Sequence, residues 1–265
     1  MRIQDVTRSD VANLHVKLAD KKYQANRVLG VLSVMFNLAE VWGLRDDYTN
    51  PTRHVKKYPE RKRERFLSPD EINSLWSTLD RRVATGEETP HVAAAFKLLL
   101  LTGCRLSEIQ YLKWSYIRDE IIYLPDAKTG PRRVHISPRA QAILRHIERF
   151  PDNPYVIVGI VPEQAVTDLQ KPWRRIRQEA GIDDVRIHDL RHTYASIAAM
   201  SGQSLYTIGK LIGHTQVQST ARYAHLADLT TKKALNEVDV LFGEFVGNDD
   251  LPPPPMPELK AANDG

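Results

Sequence analysis

The run HVAAAFKLLLLTG, at residues 91–103, limits the fold more than any other stretch of this sequence, because it is almost entirely apolar. A helix that spans a membrane needs about 20 apolar residues, and this run is too short. A helix that is apolar on every side must be enclosed by other elements. The sequence therefore predicts a buried central helix that ends at Gly103, with the rest of a domain packed around it.

The segments on either side of this run carry clear start and turn signals. In FLSPDEINSLW, Ser68 is a favourable N-cap residue, Pro69 suits the first helical position, and Glu71 completes a capping box. The later segment IIYLPDAKTGPRRVHIS, at residues 121–137, has β-branched residues on both sides of a loop that contains Pro, Asp and Gly. That pattern predicts a β-hairpin.

Helical patterns account for most of the remaining chain. Residues 138–245 are predicted to be helical, apart from loops near 151–163 and 181–187. Helical spacing also extends from residue 10 to residue 44, where Gly43 marks its end. The expected fold is therefore mainly α with a small antiparallel β-hairpin or sheet, in the α+β class.

Changes in composition along the chain predict four regions. The N-terminal helical region is short for an independent domain, since two helices enclose little core. The segment after it has two prolines and few apolar residues, and the last residues are proline-rich and polar, which predicts disorder. The regions are a partial helical region at 1–50, a basic linker at 51–66, the main domain at 67–246 and a disordered tail at 247–265.

Positive charge is concentrated in the linker. The whole chain has a net charge of +4, whereas residues 53–65 contain seven Lys or Arg and two Glu, a net charge of +5. Clustered cations favour a polyanionic partner such as nucleic acid, although a solvated linker could have the same composition. The candidate DNA-binding cations of this segment are Arg53, Lys56, Lys57, Arg61, Lys62, Arg63 and Arg65.

The sequence also limits the compartment in which the protein works. It contains one cysteine, Cys104, so an intramolecular disulfide is impossible and a reducing environment is favoured. The N-terminus, MRIQDVTRSDVANLHV, lacks the apolar core of a signal peptide. We therefore expect a cytoplasmic protein without a membrane partner, associated with the nucleoid if its polyanion is DNA.

The stretch HDLRHTYAS, at residues 188–196, is compatible with two kinds of site. If one helix contained both His188 and His192, the two side chains would share a face and could bind zinc, as in a zinc hydrolase. Asp189 is a strong N-cap residue, however, so we expect the helix to begin there and to leave His188 outside it. Arg191 also disfavours a divalent cation one turn away. A phosphate suits the helix N-terminus, Arg191 and His188 better, which leaves His192 as a structural residue that points into the domain.

Four further positions are candidates for chemistry, and each has an ordinary structural alternative. Arg105 follows the buried helix and could bind an anion, or could only pair with Glu108 one turn on. Lys128 lies at the tip of the predicted hairpin, where a lysine is usually just solvated. His214 follows a helix-ending glycine and could serve only as a cap. Tyr223 is expected in a new helix capped by the preceding Ser or Thr, where a tyrosine is usually half-buried packing.

The order of these residues is more specific than any one of them. The series LTGCRLSE, AKTG, HDLRHTYAS, LIGH and TARYAHL, between about residues 66 and 245, resembles the tyrosine recombinases, the phage-integrase family. The resemblance implies the tyrosine-recombinase catalytic fold for the main domain and part of a DNA clamp for residues 1–50. It also implies a catalytic set made up of Arg105, Lys128, His188, Arg191, His214 and the nucleophile Tyr223.

The activity implied by the resemblance is site-specific DNA recombination for a prophage or mobile element. DNA would be cut and rejoined through a covalent 3′-phosphotyrosine intermediate, without a metal, another cofactor or ATP. The two arginines would stabilise the phosphate, and His214 would donate to one of its oxygens. Lys128 would be the general acid for the leaving 5′ oxygen, and His188 the general base for Tyr223. The implied partners are double-stranded attachment sites, a homotetramer on synapsed DNA, and accessory DNA-bending proteins.

Several alternatives stay open. The N-terminal region is shorter than the family's usual clamp of four or five helices, so the chain could be a truncated or degenerate integrase that acts only as a DNA-binding protein. A zinc hydrolase built on His188 and His192 belongs to a different class and would contain stoichiometric metal. A type IB topoisomerase shares the tyrosine chemistry, but it would relax DNA without site preference.

Overall fold

The computed structural model describes residues 1–60, 64–125, 130–159, 161, 163–214, 216–228, 235–236, 238–241 and 244. It divides the chain into two compact units, Met1–Glu64 and Arg65–Gly265. Several predictions fall on residues outside the described ones and stay predictions. They concern the hairpin lysine, three linker cations and the C-terminal tail, namely Lys128, Arg61, Lys62, Arg63 and residues 247–265.

The first unit is built on a pair of helices. These are α1 (Arg8–Lys17) and α2 (Lys22–Val41), and a short 3-10 turn between them interrupts the helical stretch that the sequence predicted. The apolar side chains of Val11, Leu29 and Phe36 form a small core between the two helices. A core of this size gives the unit modest stability, because hydrophobic stabilisation scales with the apolar area that is buried.

The segment predicted as an open linker is attached to this helix pair over its first part. The buried Asn26 side chain donates from Nδ2 to the Tyr58 carbonyl at 2.8 Å and accepts from the Tyr58 N–H at 2.8 Å through Oδ1. The Tyr58 ring also stacks on His15, with ring centroids 4.3 Å apart. One side-chain amide therefore satisfies both backbone polar groups of one linker residue, Tyr58. The boundary between the units falls after Glu64, so the linker's first part belongs to the first unit.

The second unit is mainly helical with one small sheet, which confirms the predicted fold class. Its longer helices are α3 (Pro69–Ala84), α4 (Pro90–Thr102), α5 (Leu106–Gln110), α6 (Pro138–His146), α7 (Gln170–Glu179), α8 (Ile187–Met200), α9 (Leu205–Ile212) and α10 (Ala224–Asp228). Its strands are β1 (Ile117–Arg118), β2 (Ile121–Leu124) and β3 (Arg132–His135), antiparallel in the order β1-β2-β3. The predicted hairpin is β2–β3, and β1 adds a short third strand.

Helix α4 is the buried centre of this unit, as the apolar run predicted. Phe96 and Leu98 are fully buried, and α4 packs against α3, α5, α6 and α8. The helix begins after Thr89, whose side chain accepts the N–H of Val92, and ends at Gly103, whose φ of 60° is left-handed. In the described part of the chain, no helix has the length and apolarity required to span a membrane.

Candidate active site

Helix α8 begins earlier than the sequence indicated. Its first residue is Ile187, and Arg186 occupies the N-cap position. The Asp189 carboxylate accepts the backbone N–H of Arg186 at 2.8 Å, so Asp189 caps the helix from within its first turn. His188 and His192 therefore lie on one helix, one turn apart, with ring centroids 4.8 Å apart. The prediction that His188 lies outside the helix is wrong.

The surroundings of these two histidines are cationic. Burial, and then the charge of Arg191, lowers the pKa of His188. Burial, followed by the charges of His188 and Arg222, lowers the pKa of His192 to about 3. Within the described ranges, no group of three or more His, Cys, Asp or Glu side chains could hold a metal ion. The described residues thus give no support to a zinc hydrolase, even though His188 and His192 do lie on one helix.

Arg191 is buried in α8 and bound to the end of α4. Only 4% of its surface is exposed, and its Nη1 donates to the Gly103 carbonyl at 2.6 Å. Carbonyls in the last turn of a helix have no intrahelical partner and are natural acceptors for a cation. Burial, and then the charges of Arg105 and Arg132, lowers the pKa of Arg191 to about 10, so the side chain stays charged at neutral pH.

Arg105 is bound in the same way at the end of another helix. It precedes α5, and its Nη1 lies 2.7 Å from Glu108 Oε1. Its Nη2 donates at 3.2 Å to the carbonyl of Gly213, the left-handed residue that ends α9. The ion pair between Arg105 and Glu108, which the sequence offered as the structural alternative to anion binding, is therefore present. It fixes the guanidinium and still leaves 20% of the Arg105 side chain exposed.

Arg132, on β3, links the sheet to the same helix end. Its Nη1 donates to the Ile212 carbonyl at 2.6 Å and lies 3.7 Å from Glu108 Oε2. A Cβ added at Gly213 would overlap the Arg132 guanidinium, so a larger residue there would displace that side chain. Arg132 was not among the residues predicted from the sequence. The sequence signal that could have identified it is the alternation of side chains between the two faces of β3, which places Arg132 on the same face as the buried Val134.

Tyr223 is buried and contacts His192. Its residue surface is 4% exposed, and its Oη lies 2.6 Å from His192 Nδ1. Tyr223 ends a 3-10 turn that leads into α10. Burial raises the pKa of Tyr223, whereas the charges of Arg222 and Arg191 lower it. His192 was predicted to be a structural residue that points into the domain, and the structure places it in contact with the predicted nucleophile.

His214 is joined to the turn that carries Tyr223. Its Nδ1 lies 3.0 Å from the hydroxyl of Thr220, which is almost fully buried. Thr220 makes no side-chain cap on the turn, so the predicted cap is wrong, and the hydroxyl binds His214 instead. Burial, and then the charges of Arg191 and Arg105, lowers the pKa of His214 to about 4. His214 is therefore neutral at pH 7 and can still donate from one ring nitrogen.

The residues of the predicted catalytic set that the structure describes form one cluster at the ends of α4 and α9. The cluster combines cationic arginines, neutral histidines and a buried tyrosine, which is the composition of an anion site. Its predicted members are Arg105, His188, Arg191, His214 and Tyr223, and the structure adds Arg132, His192 and Arg222.

The described cations of the basic segment differ in their surroundings. Lys56 and Lys57 are exposed. The Arg53 guanidinium lies 3.5 Å from a Glu40 carboxylate oxygen, and 41% of the Arg53 side chain is exposed. Arg65 differs from them, since its guanidinium lies 2.6 Å from Glu71 and 2.9 Å from Asp184 within the second unit. We therefore do not count Arg65 among the cations available to DNA.

Known proteins resemble most of this chain. The model of the phage integrase family matches residues 65–229. The shufflon-specific DNA recombinase of Escherichia coli is 30% identical over 241 residues, which are 84% of this chain and 59% of that protein. The chain thus spans less than two thirds of that relative. Tyrosine recombinase XerC of Staphylococcus carnosus (strain TM300) is 26% identical over 252 residues, 88% of this chain and 82% of that protein. A lambda integrase tetramer bound to a Holliday junction has a similar fold, with a TM-score of 0.63 and 18% identity over 81% of this chain and 66% of that one.

Proposed function

This chain belongs to the phage integrase family of tyrosine recombinases, and from that premise we propose that it is a site-specific DNA recombinase. It cuts one strand at a time within a double-stranded attachment site and rejoins the strand to a new partner. The two relatives named above are both recombinases. The resemblance drawn from the order of motifs is thereby confirmed at the level of the family.

The proposed chemistry is a pair of transesterifications. Tyr223 Oη attacks the phosphorus, the Oη–P bond forms, and the P–O5′ bond breaks. The phenolic proton passes to His188, and the leaving 5′ oxygen takes a proton from Lys128, the role that the family resemblance implies. Rejoining reverses these steps with a new 5′ hydroxyl. The phosphotyrosine linkage conserves the bond energy, so no ATP is required.

The observation that carries this proposal is the way in which the two arginines are positioned. Arg191 is bound by the carbonyl of Gly103, and Arg105 by the carbonyl of Gly213. In the part of the chain that is described, Arg191 has no carboxylate within ion-pair distance. The neutral Gly103 carbonyl orients the Arg191 guanidinium without cancelling its charge, whereas Arg105 is also paired with the Glu108 carboxylate. Such preorganised charge stabilises a pentacoordinate phosphate without reorganisation during the reaction.

The proposed substrate is duplex DNA, with four protomers on two synapsed sites. The exposed Lys56 and Lys57 of the first unit are suited to the phosphate backbone, where cations supply affinity rather than sequence discrimination. The lambda integrase tetramer on a Holliday junction supports a tetramer by likeness of fold. Accessory DNA-bending proteins, and action on the nucleoid in the cytoplasm, belong to the same proposal.

Covalent capture on nicked duplexes tests the proposal. Duplexes from the flanks of the element that encodes this chain would carry a nick that releases the short 5′ product, so that the cleaved state accumulates. We expect an SDS-stable protein–DNA adduct that forms in the presence of a metal chelator. Tyr223→Phe should form none, whereas Tyr206→Phe, at an exposed tyrosine of α9, should behave as wild type.

The same experiment separates the alternatives. Specific DNA binding without any adduct would overturn the enzyme and favour a DNA-binding protein that has lost turnover. Adducts formed equally on unrelated duplexes, together with relaxation of supercoiled DNA, would favour a topoisomerase. An adduct that persists in Tyr223→Phe would show that Tyr223 is not the nucleophile.

A further inference from the structure

Both ring nitrogens of His192 have a partner in the active-site cluster. Nδ1 lies 2.6 Å from the hydroxyl oxygen of Tyr223. Nε2 lies 3.3 Å from Nη1 of Arg222, the residue next to Tyr223. The ring also meets His188 edge to face. His192 is therefore fixed on several sides, and its proton can be located from the chemistry of its partners.

The guanidinium of Arg222 decides which nitrogen carries that proton. A guanidinium has only N–H groups to offer, so Nε2 of His192 must accept from it. A neutral imidazole has one N–H and one acceptor nitrogen, and the proton is therefore on Nδ1. A doubly protonated ring would direct an N–H at the guanidinium, and burial among cations opposes that form. Nδ1–H thus donates to the oxygen of Tyr223.

We infer that His192 is a further catalytic residue, which donates a hydrogen bond from Nδ1 to Tyr223 Oη and stabilises the phenolate form of the nucleophile. This inference rests on the function proposed above and adds a role that the predicted catalytic set lacks. His192 is a donor here and not the base that removes the phenolic proton. The two histidines of one α8 face then have separate tasks, with His188 as base and His192 as donor.

The donor acts in both directions of the reaction. In cleavage, the phenolic proton passes to His188 as the Oη–P bond forms and the P–O5′ bond breaks, and His192 keeps its own proton throughout. In rejoining, the 5′ hydroxyl attacks the phosphotyrosine as its proton passes to Lys128, the P–Oη bond breaks, and the phenolate leaves toward the same Nδ1–H and takes its proton back from His188. A donor placed where negative charge develops lowers both barriers. Arg222 strengthens this donor, because a cation at Nε2 polarises the ring toward it.

The tautomer can be measured on the full chain without DNA. Long-range ¹H–¹⁵N spectra of ¹⁵N-histidine-labelled protein distinguish the protonated nitrogen from the bare one in each ring. The signals of His192 are those that disappear in His192→Asn, with His225→Asn at an exposed position as the matched control. We expect the neutral Nδ1–H form at pH 7. A neutral Nε2–H form, or a doubly protonated ring, would overturn the inference whether or not the protein recombines DNA.

Two substitutions of similar shape then separate a donor from a base. His192→Asn places an N–H group near the position of Nδ1, whereas His192→Asp places an acceptor there. On the nicked duplex we expect Asn to keep cleavage within about tenfold of wild type and Asp to lose about 10²–10³-fold, the usual cost of one lost charge-stabilising donor. The rate of rejoining from a preformed adduct should likewise be higher for the Asn variant than for the Asp variant. Equal rates, or a faster Asp variant, would contradict the donor role.

These outcomes stay distinct from a failure of the proposed function. If wild type forms an adduct and the Asn and Asp variants do not differ, the function stands and the inference fails. If wild type forms no adduct, the function fails and the tautomer measurement still decides the hydrogen bond. Thermal unfolding and duplex binding of both variants check that the folded state and the DNA contacts are retained.

Discussion

The guanidinium of Arg191 donates to the carbonyl oxygen of Gly103 at 2.6 Å, although 88 positions separate the two residues in the chain. This bond joins the N-terminal half of α8 to the end of the buried helix α4. It places a charged side chain at the centre of the site through a neutral acceptor. The site thereby keeps the positive charge that a phosphate needs, and the fold bears the cost of burying it.

The cost of burying this charge predicts that a substitution at Arg191 lowers activity strongly but does not lower stability strongly. Arg191→Met should lower cleavage about 10²–10³-fold, because one phosphate-stabilising donor is lost. Its free energy of unfolding should stay within about 2 kcal/mol of wild type or rise. Release of a buried charge offsets the hydrogen bond lost by the Gly103 carbonyl. Urea unfolding and adduct yield measure the two effects, and a large loss of stability would contradict this account.

A second prediction concerns the left-handed end of α4. Gly103 has a φ of +60°, and an added Cβ would lie 2.5 Å from Tyr194 Cδ1. Gly103→Ala should therefore destabilise the protein by about 2–4 kcal/mol, from backbone strain together with overpacking. Gly86→Ala is the matched control, since Gly86 has a φ of +71° and open space around its Cβ position. It should cost only the backbone strain, about 1–2 kcal/mol.

The third prediction is a loss of stability in mild acid. His188, His192 and His214 all have a pKa below the usual 6.5 in the folded chain, with His214 at about 4. The unfolded chain therefore binds more protons than the folded chain below pH 6.5. The free energy of unfolding should be highest above pH 6.5 and should fall as the pH drops toward 5.

Urea midpoints between pH 7 and pH 5 measure this dependence. His214→Asn should reduce the slope by up to one proton, because the substituted residue no longer titrates. His225→Asn, at an exposed position, is the matched control substitution. A wild-type midpoint that does not move across this range would contradict the lowered pKa values.

The fourth prediction separates DNA-binding cations from structural ones. Lys57 is exposed, so Lys57→Ala should weaken duplex binding and reduce the salt slope of log K by about 1. Arg65 is bound by Glu71 and Asp184. Arg65→Ala should leave the salt slope unchanged and lower the free energy of unfolding by about 1–3 kcal/mol. Fluorescence anisotropy over a salt series measures the slopes, and a reversed pattern would contradict both assignments.

The fifth prediction uses the single cysteine. Cys104 is almost fully buried, and burial raises the pKa of its thiol to about 11. A disulfide reagent at pH 8 should therefore react about 10³-fold more slowly with the folded protein than with the urea-unfolded protein. Cys104→Ser provides the zero baseline. Rapid labelling of the folded chain would mean that the end of α4 opens readily, which conflicts with a preorganised site.

The sequence predicted the features that depend on neighbouring residues. The apolar run of α4, the capping box of Ser68 and Glu71, and the β2–β3 hairpin all follow from local rules of burial, capping and turn formation. The order of the site residues along the chain was enough to indicate the family, since few folds require that series. Those predictions did not require knowing which distant segments of the chain contact each other.

One local prediction failed because its rule allowed two answers. Asp is favourable both at the N-cap position and within the first turn of a helix. The structure places Asp189 in the first turn, where it accepts the N–H of Arg186. The N-cap therefore lies at Arg186, three residues earlier than predicted, which brings His188 onto the same helix as His192. The sequence could not choose between the two positions, because the choice depends on how α8 packs on α4.

The contacts that define the site chemistry come only from the tertiary structure. His192 meets Tyr223 across 31 positions, and Arg105 meets the Gly213 carbonyl across 108. Side-chain type identifies a donor or an acceptor, but its partner is chosen by the packing of helices that are distant in sequence. The sequence by itself thus determined the family, the fold class and the residues available for chemistry. The packing of α4, α8 and α9 decided which of those residues touch, because hydrogen bonds act only over about 3 Å.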